Sequence, residues 1–148
     1  MSTIAERTVT TTWTGTVNAG LGEFGASSSG VLDGLQVTWA SRTVRPDGKT
    51  SPEELLAAAH SSCFSMALGV CLGQHQLEPE QLRISANVRF AEVDGKPTID
   101  ASQISIVAKV PGVDDATFQT IVGEAAALCP VSRLFAGAEI TVEATLEG

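Results

Sequence analysis

The chain is short of positive charge, of cysteine and of any long apolar run, and each shortage excludes something. Nine Lys and Arg stand against 17 Asp and Glu in 148 residues, a net charge of −8, with no basic cluster to offset it. Such a surface repels phosphate backbones and anionic lipid, so neither nucleic acid nor a membrane is an expected partner. Three cysteines are few and odd in number, which argues against a structural disulfide framework and for thiols that rest reduced. Any disulfide would then be a transient, working one. The opening Met1-Ser-Thr-Ile-Ala-Glu-Arg7 lacks a basic region followed by an apolar stretch. No window is read as reaching the roughly 18 apolar residues of a spanning helix, and the expected location is the cytoplasm. What is present is 43% hydrophobic residues at a mean hydropathy of +0.17, which suits one compact domain over residues 1–148.

The first third is strand-like. Val9 to Val17 and Leu35 to Ala40 are rich in β-branched and aromatic residues, and no helical period is read before residue 51. Between them, Gly20-x-Gly22-x-x-Gly25 matches a dinucleotide-binding fingerprint by letters. The fingerprint needs a helix opening at the glycines, whereas Ser27-Ser-Ser-Gly30 and another strand follow, so nucleotide binding is set aside. A long helix is expected from residue 52 to about Gly73: Ser51 can cap it, Pro52 suits its first position and Glu54 falls three after Ser51. Its alanine and leucine content and sparse charge mark it as a central core helix. Leu82 to Phe90 and Ile99 to Val110 alternate apolar and polar around Val93-Asp-Gly-Lys-Pro97, a β-hairpin. A second helix, capped by Asp114 or Asp115, ends at Cys129-Pro130, and a strand over Ile140 to Leu146 closes the chain. That order implies an α+β fold with antiparallel sheets packed around a long central helix, not a doubly wound one.

The chemistry centres on the thiols. Cys63 lies among Ser61, Ser62 and Ser65, near His60 and the acids Glu53 and Glu54, a milder setting than a packing cysteine usually has. A redox or nucleophilic thiol and an inert core thiol both remain open on these residues. Cys63 and Cys71 are about 12 Å apart along a continuous helix and cannot pair, since a disulfide holds its α-carbons within about 7 Å. Cys129 stands at a junction of two helices, where amide groups favour a thiolate, and on that ground it is the more acidic thiol. Arg42 and Arg45 are candidate cations for a thiolate, against the plainer reading of solvated arginines. His60, one turn before Cys63, could activate the thiol, bind metal or pack. Zinc through His60, Cys63 and Cys129 would have only three ligands at unusual spacing, with His75 a distant fourth, so no metal is expected.

Ser51-Pro-Glu-Glu-Leu55, Ala59-His-Ser-Ser-Cys-Phe-Ser-Met-Ala-Leu68, Val110-Pro-Gly-Val-Asp114 and Cys129-Pro-Val-Ser132 together resemble the OsmC/Ohr family, the osmotically inducible protein C and organic hydroperoxide resistance proteins. The likeness extends from about Trp13 to the last strand, and His60 with Phe64-Ser-Met-Ala67 resembles the OsmC branch. The resemblance implies a thiol peroxidase for organic hydroperoxides that needs no cofactor, and an intertwined homodimer with composite sites. It implies that Cys63 is the peroxidatic thiol, oxidised to a sulfenic acid, and that Cys129 resolves it as a disulfide, which a lipoyl-type or other dithiol then reduces. This places the attacking role on Cys63 rather than on the thiol that the helix junction favours. The family's arginine maps to Arg42, with Arg45 as a fallback, and its glutamate to Glu53. Ten helical residues put Glu53 about 15 Å from Cys63 along the axis, so direct cooperation calls for the other subunit. Trp39, His60, Phe64, Met66, Leu134 and Phe135 are candidate pocket residues. A redox sensor or small-molecule-binding protein on the same fold is the competing reading. A cysteine hydrolase lacks an identifiable motif.

Overall fold

A computed structural model describes residues 1–148, and the chain divides into two compact units, Met1–Pro52 and Glu53–Gly148. This is a finer division than the one domain expected over the whole chain.

The first unit is a small antiparallel sheet in the order β1 (Thr10–Thr14), β2 (Leu21–Gly25), β3 (Gln36–Val37). The glycines of the apparent fingerprint serve this sheet. Gly22 lies within β2 opposite Trp13, where an added Cβ would fall 2.9 Å from the indole. Gly20 packs so close to the backbone of Thr14 and Thr16 that an added Cβ would fall 2.4 Å from the Thr16 carbonyl. No helix opens there, so the segment is a strand and its turn.

The strand expected over Leu35 to Ala40 is cut short, and the expectation of no helix before residue 51 is corrected. Thr38 caps a short helix, α1 (Trp39–Thr43): its side chain accepts from the Ser41 amide while the Ser41 hydroxyl accepts from the Thr38 amide. This reciprocal cap overrides the β-branched and aromatic character of Val37, Thr38 and Trp39. Arg42 therefore sits on α1, not at a strand end, with its guanidinium 5.8 Å from the centre of the Trp39 ring.

The second unit holds the core. It contains the helix α2 (Pro52–Gln74), the long hairpin β4 (Gln81–Val93) and β5 (Lys96–Lys109), the helices α3 (Asp115–Leu128) and α4 (Pro130–Leu134), and β6 (Glu139–Leu146). Asp94 and Gly95, both at positive φ, make the two-residue turn of the hairpin. Asp114 caps α3 by accepting from the Thr117 amide at 2.7 Å. β6 returns beside β5 in parallel, because α3 and α4 carry the chain back to the end of the sheet where β5 started. The fold is α+β, with antiparallel strand pairing apart from β6 and an isolated parallel bridge between Val37 and Thr50.

Phe64, Leu68, Cys71 and Leu72 of α2 join Ile104, Ile106 and Ala108 of β5 and Phe118, Ile121 and Ala125 of α3 in one buried cluster. Each fully buried large side chain contributes about 1.5–3 kcal/mol of apolar burial. Contrary to the reading that no window is long and apolar enough, α2 passes for a membrane span by length and composition, with a mean hydropathy of 1.7. The low charge that produces this value reflects the core packed on one face of the helix. On its other face Ala58, Ser62, Met66 and Val70, four residues apart, form an exposed stripe without charge.

Candidate functional site

α2 and the α3–α4 junction bring Cys63 and Cys129 together, with sulfurs 3.4 Å apart. Cys63 is partly exposed and Cys129 is fully buried. Cys129 ends α3, donating its amide to the Ala125 carbonyl at 2.9 Å, and is also the residue before α4, which opens at Pro130. The tight change of direction that Pro130 permits turns the amides of Val131 and Ser132 onto the Cys129 sulfur.

The two thiols differ in acidity. Burial pushes the Cys63 thiol up, the Val131 amide draws it back in part, and the neighbouring Cys129 pushes it further up. At Cys129 burial also acts to raise the value, but it is outweighed by the hydroxyl and amide of Ser132, the Cys63 thiol and the Val131 amide, and the net shift is downward. This is the order expected of a thiol at a helix junction.

His60 lies beneath the pair and is completely buried. Its Nδ1 is 2.6 Å from the Ser102 hydroxyl and its Nε2 is 2.8 Å from the Ser132 hydroxyl. The rings of Phe64 and Phe135 meet it edge-on, with centroids at 6.5 Å and 5.0 Å. Burial lowers its pKa, so the imidazole is neutral at physiological pH. His75 stands elsewhere on the surface, 3.0 Å from Glu124.

Of the remaining residues singled out in the sequence, Glu53 is buried in the first turn of α2, ten residues before Cys63 on an unbroken helix. Phe64 is buried, Phe135 half-buried, and Met66 and Leu134 are exposed at 71% and 75%. Trp39, Arg42 and Arg45 belong to the first unit. Ser102 and Ser132 escaped the sequence reading, although both carry a signal. Ser102 is the one polar member of the inward-facing series Ser102, Ile104, Ile106, Ala108, Val110. Ser132 falls three residues after Cys129, the spacing at which a helix's first turn faces the residue before it.

A partly exposed thiol and a buried thiol within contact distance make this pair the candidate site of an α+β scaffold. Comparison with known proteins gives the family. Residues 45–145 match the family described as OsmC-like protein, and the chain belongs to that family. It is 37% identical over 135 residues to the peroxiredoxin OsmC of Escherichia coli K12, covering 91% of this chain and 92% of that protein. It is 34% identical over 98 residues to an organic hydroperoxide resistance protein of Xanthomonas axonopodis pv. citri, 66% of each chain. Among solved structures, OhrB of Bacillus subtilis superposes with a TM-score of 0.67 at 25% identity, covering 95% of this chain and 98% of that one.

Proposed function

We propose that this protein is a cysteine-based thiol peroxidase that reduces organic hydroperoxides, and hydrogen peroxide less well, without metal, haem or flavin. The observation that carries the reading is the Cys63–Cys129 pair: one sulfur that a peroxide can reach, and a buried one 3.4 Å behind it. The names of the relatives, a peroxiredoxin and an organic hydroperoxide resistance protein, support the substrate class.

In this reading the Cys63 thiolate attacks the distal oxygen of the hydroperoxide. The O–O bond breaks, the alcohol leaves with a proton, and Cys63 becomes a sulfenic acid. The Cys129 thiolate then attacks the Cys63 sulfur; the S–S bond forms, the S–O bond breaks, and the oxygen departs as water with one proton. A dithiol, lipoyl-type or other, restores both thiols and leaves as its own disulfide.

Since the pair alone leaves Cys63 the weaker acid, a cation must stabilise its thiolate while the proton passes to water. The reading assigns that task to Arg42, with Arg45 as the alternative, and assigns the orienting of the guanidinium to Glu53. Glu53 lies about 15 Å from Cys63 along α2, so the glutamate at each site comes from a second copy of the chain. The uncharged stripe Ala58, Ser62, Met66, Val70 is the face such a copy would cover. Trp39, His60, Phe64, Met66, Leu134 and Phe135 are proposed as residues of the pocket for the alkyl group.

The test is steady-state consumption of cumene hydroperoxide with excess dihydrolipoamide or dithiothreitol. Wild type turns over many times, Cys63→Ser not at all, and Cys129→Ser stalls or overoxidises. Stoichiometric oxidation without turnover would replace the enzyme with a sensor. Activity untouched by Cys63→Ser would remove the thiol mechanism altogether.

A further inference from the structure

Apart from Glu53, the buried polar side chains of the chain are His60, Ser102 and Ser132, and these three meet in a core otherwise made of apolar groups. His60 of α2 joins Ser102 of β5 through Nδ1 at 2.6 Å and Ser132 of α4 through Nε2 at 2.8 Å. A hydroxyl donates or accepts, so both contacts hold in either tautomer of the ring and in its protonated form. Cys63 lies three residues after His60 on α2, and Ser132 lies three residues after Cys129 into α4. Two links therefore join the same elements one turn apart, His60 to Ser132 at 2.8 Å and Cys63 to Cys129 at 3.4 Å. α4 has only five residues, too few to hold a helix by its own hydrogen bonds, so its place is set by what it touches. The packing of Val131 on the core is non-directional, whereas a hydrogen bond fixes distance and angle. Both Ser132 and Phe135, whose ring meets the imidazole edge-on at 5.0 Å, seat α4 on His60.

We infer that His60 is a positioning residue for disulfide formation: fixed by Ser102 of β5, it pins Ser132, and with it the start of α4, in the register that keeps the Cys129 sulfur within reach of Cys63. The inference rests on the peroxidase reading for its place in a cycle, and on the geometry alone for the pin. In that cycle the Cys129 sulfur gives an electron pair to the sulfur of the Cys63 sulfenic acid. The S–S bond forms, the S–O bond breaks, and the oxygen leaves as water with its own hydrogen and the Cys129 thiol proton. A disulfide spans about 2.05 Å, so sulfurs at 3.4 Å have about 1.4 Å to close. A misplacement of about 1 Å costs such a step up to about 100-fold. With α4 out of register the sulfenic acid waits, and a second hydroperoxide adds its distal oxygen to that sulfur, giving sulfinic acid and alcohol.

Ser132→Ala cuts the pin and Ser132→Thr keeps its hydroxyl, while His60→Leu removes both bonds of the ring. The first readout needs no peroxide. Each protein is equilibrated with reduced and oxidised glutathione, and the Cys63–Cys129 disulfide is quantified by peptide mapping, which gives the effective concentration of one thiol at the other. Ser132→Ala and His60→Leu are expected to lower that concentration at least about tenfold, and Ser132→Thr to restore it to near the wild-type value. An unchanged value in Ser132→Ala would overturn the inference, and so would a wild type that forms no Cys63–Cys129 disulfide. These outcomes stand whether or not the protein consumes peroxide. The second readout belongs to the cycle. After one equivalent of cumene hydroperoxide, Cys63 sulfenic acid is trapped with dimedone while disulfide formation is followed in time. Ser132→Ala is expected to oxidise Cys63 at the wild-type rate but to form disulfide at least about tenfold more slowly, with sulfenic acid accumulating. Disulfide formation at the wild-type rate would count against the pin, whereas absence of Cys63 oxidation in every protein would count against the peroxidase reading alone.

Discussion

A neutral imidazole sealed between two hydroxyls costs the protein stability in acid. Burial places the folded-state pKa of His60 below its unfolded value, which lies near 6.5. Below that pH the unfolded chain binds a proton that the folded chain does not. His60 therefore makes stability fall as pH drops through about 6.5, and the loss continues until the folded value is passed. Thermal unfolding across this window is expected to show a steeper decline for wild type than for His60→Gln; equal slopes would mean that His60 is charged in the fold. The acidity order of the thiols has its own consequence. The better-stabilised thiolate is the better leaving group, so a reductant opening the disulfide should attack the partly exposed Cys63 and expel Cys129. Mapping the mixed disulfide formed by a monothiol is expected to find it on Cys63. A mixed disulfide on Cys129 would reverse that order.

Among the elements, α3 packs on the core, and Phe118 is its largest fully buried side chain, within the cluster that includes Leu68 and Ile106. Phe118→Ala is expected to cost about 3–5 kcal/mol, measured by denaturant unfolding; a cost under about 1 kcal/mol would mean that the site collapses freely around the lost ring. The start of α3 at Asp114, the Asp94-Gly95 turn and the alternation along β4 and β5 were legible in the sequence, because each is a local rule obeyed locally. α1 was not, because three strand-like residues masked a Thr38–Ser41 cap whose two bonds outweigh propensity. The direction of β6 was also hidden, since a period of two says which residues face inward but not which way the strand runs. At the site, the cysteines announced themselves, whereas Ser102 and Ser132 acquire meaning only when β5 and α4 are brought against His60.

For the whole molecule, the unbroken α2 separates Glu53 from Cys63 and leaves an uncharged stripe through Met66 and Val70 uncovered. Both features are met by a symmetric pairing of two chains. Sedimentation is expected to find wild type dimeric and Met66→Glu shifted toward monomer; an unshifted dimer would move the interface elsewhere. If the sites are composite, mixing inactive Cys63→Ser with weakened Glu53→Gln subunits restores activity beyond the sum of the two, because one site in each mixed dimer is intact. The most direct test of the central claim is peptide mapping of wild-type protein after a single equivalent of cumene hydroperoxide. The account predicts loss of two hydrogens per chain and a Cys63–Cys129 cross-link that a dithiol reverses. Thiols still reduced after the hydroperoxide is added, or a link made through Cys71, would contradict it.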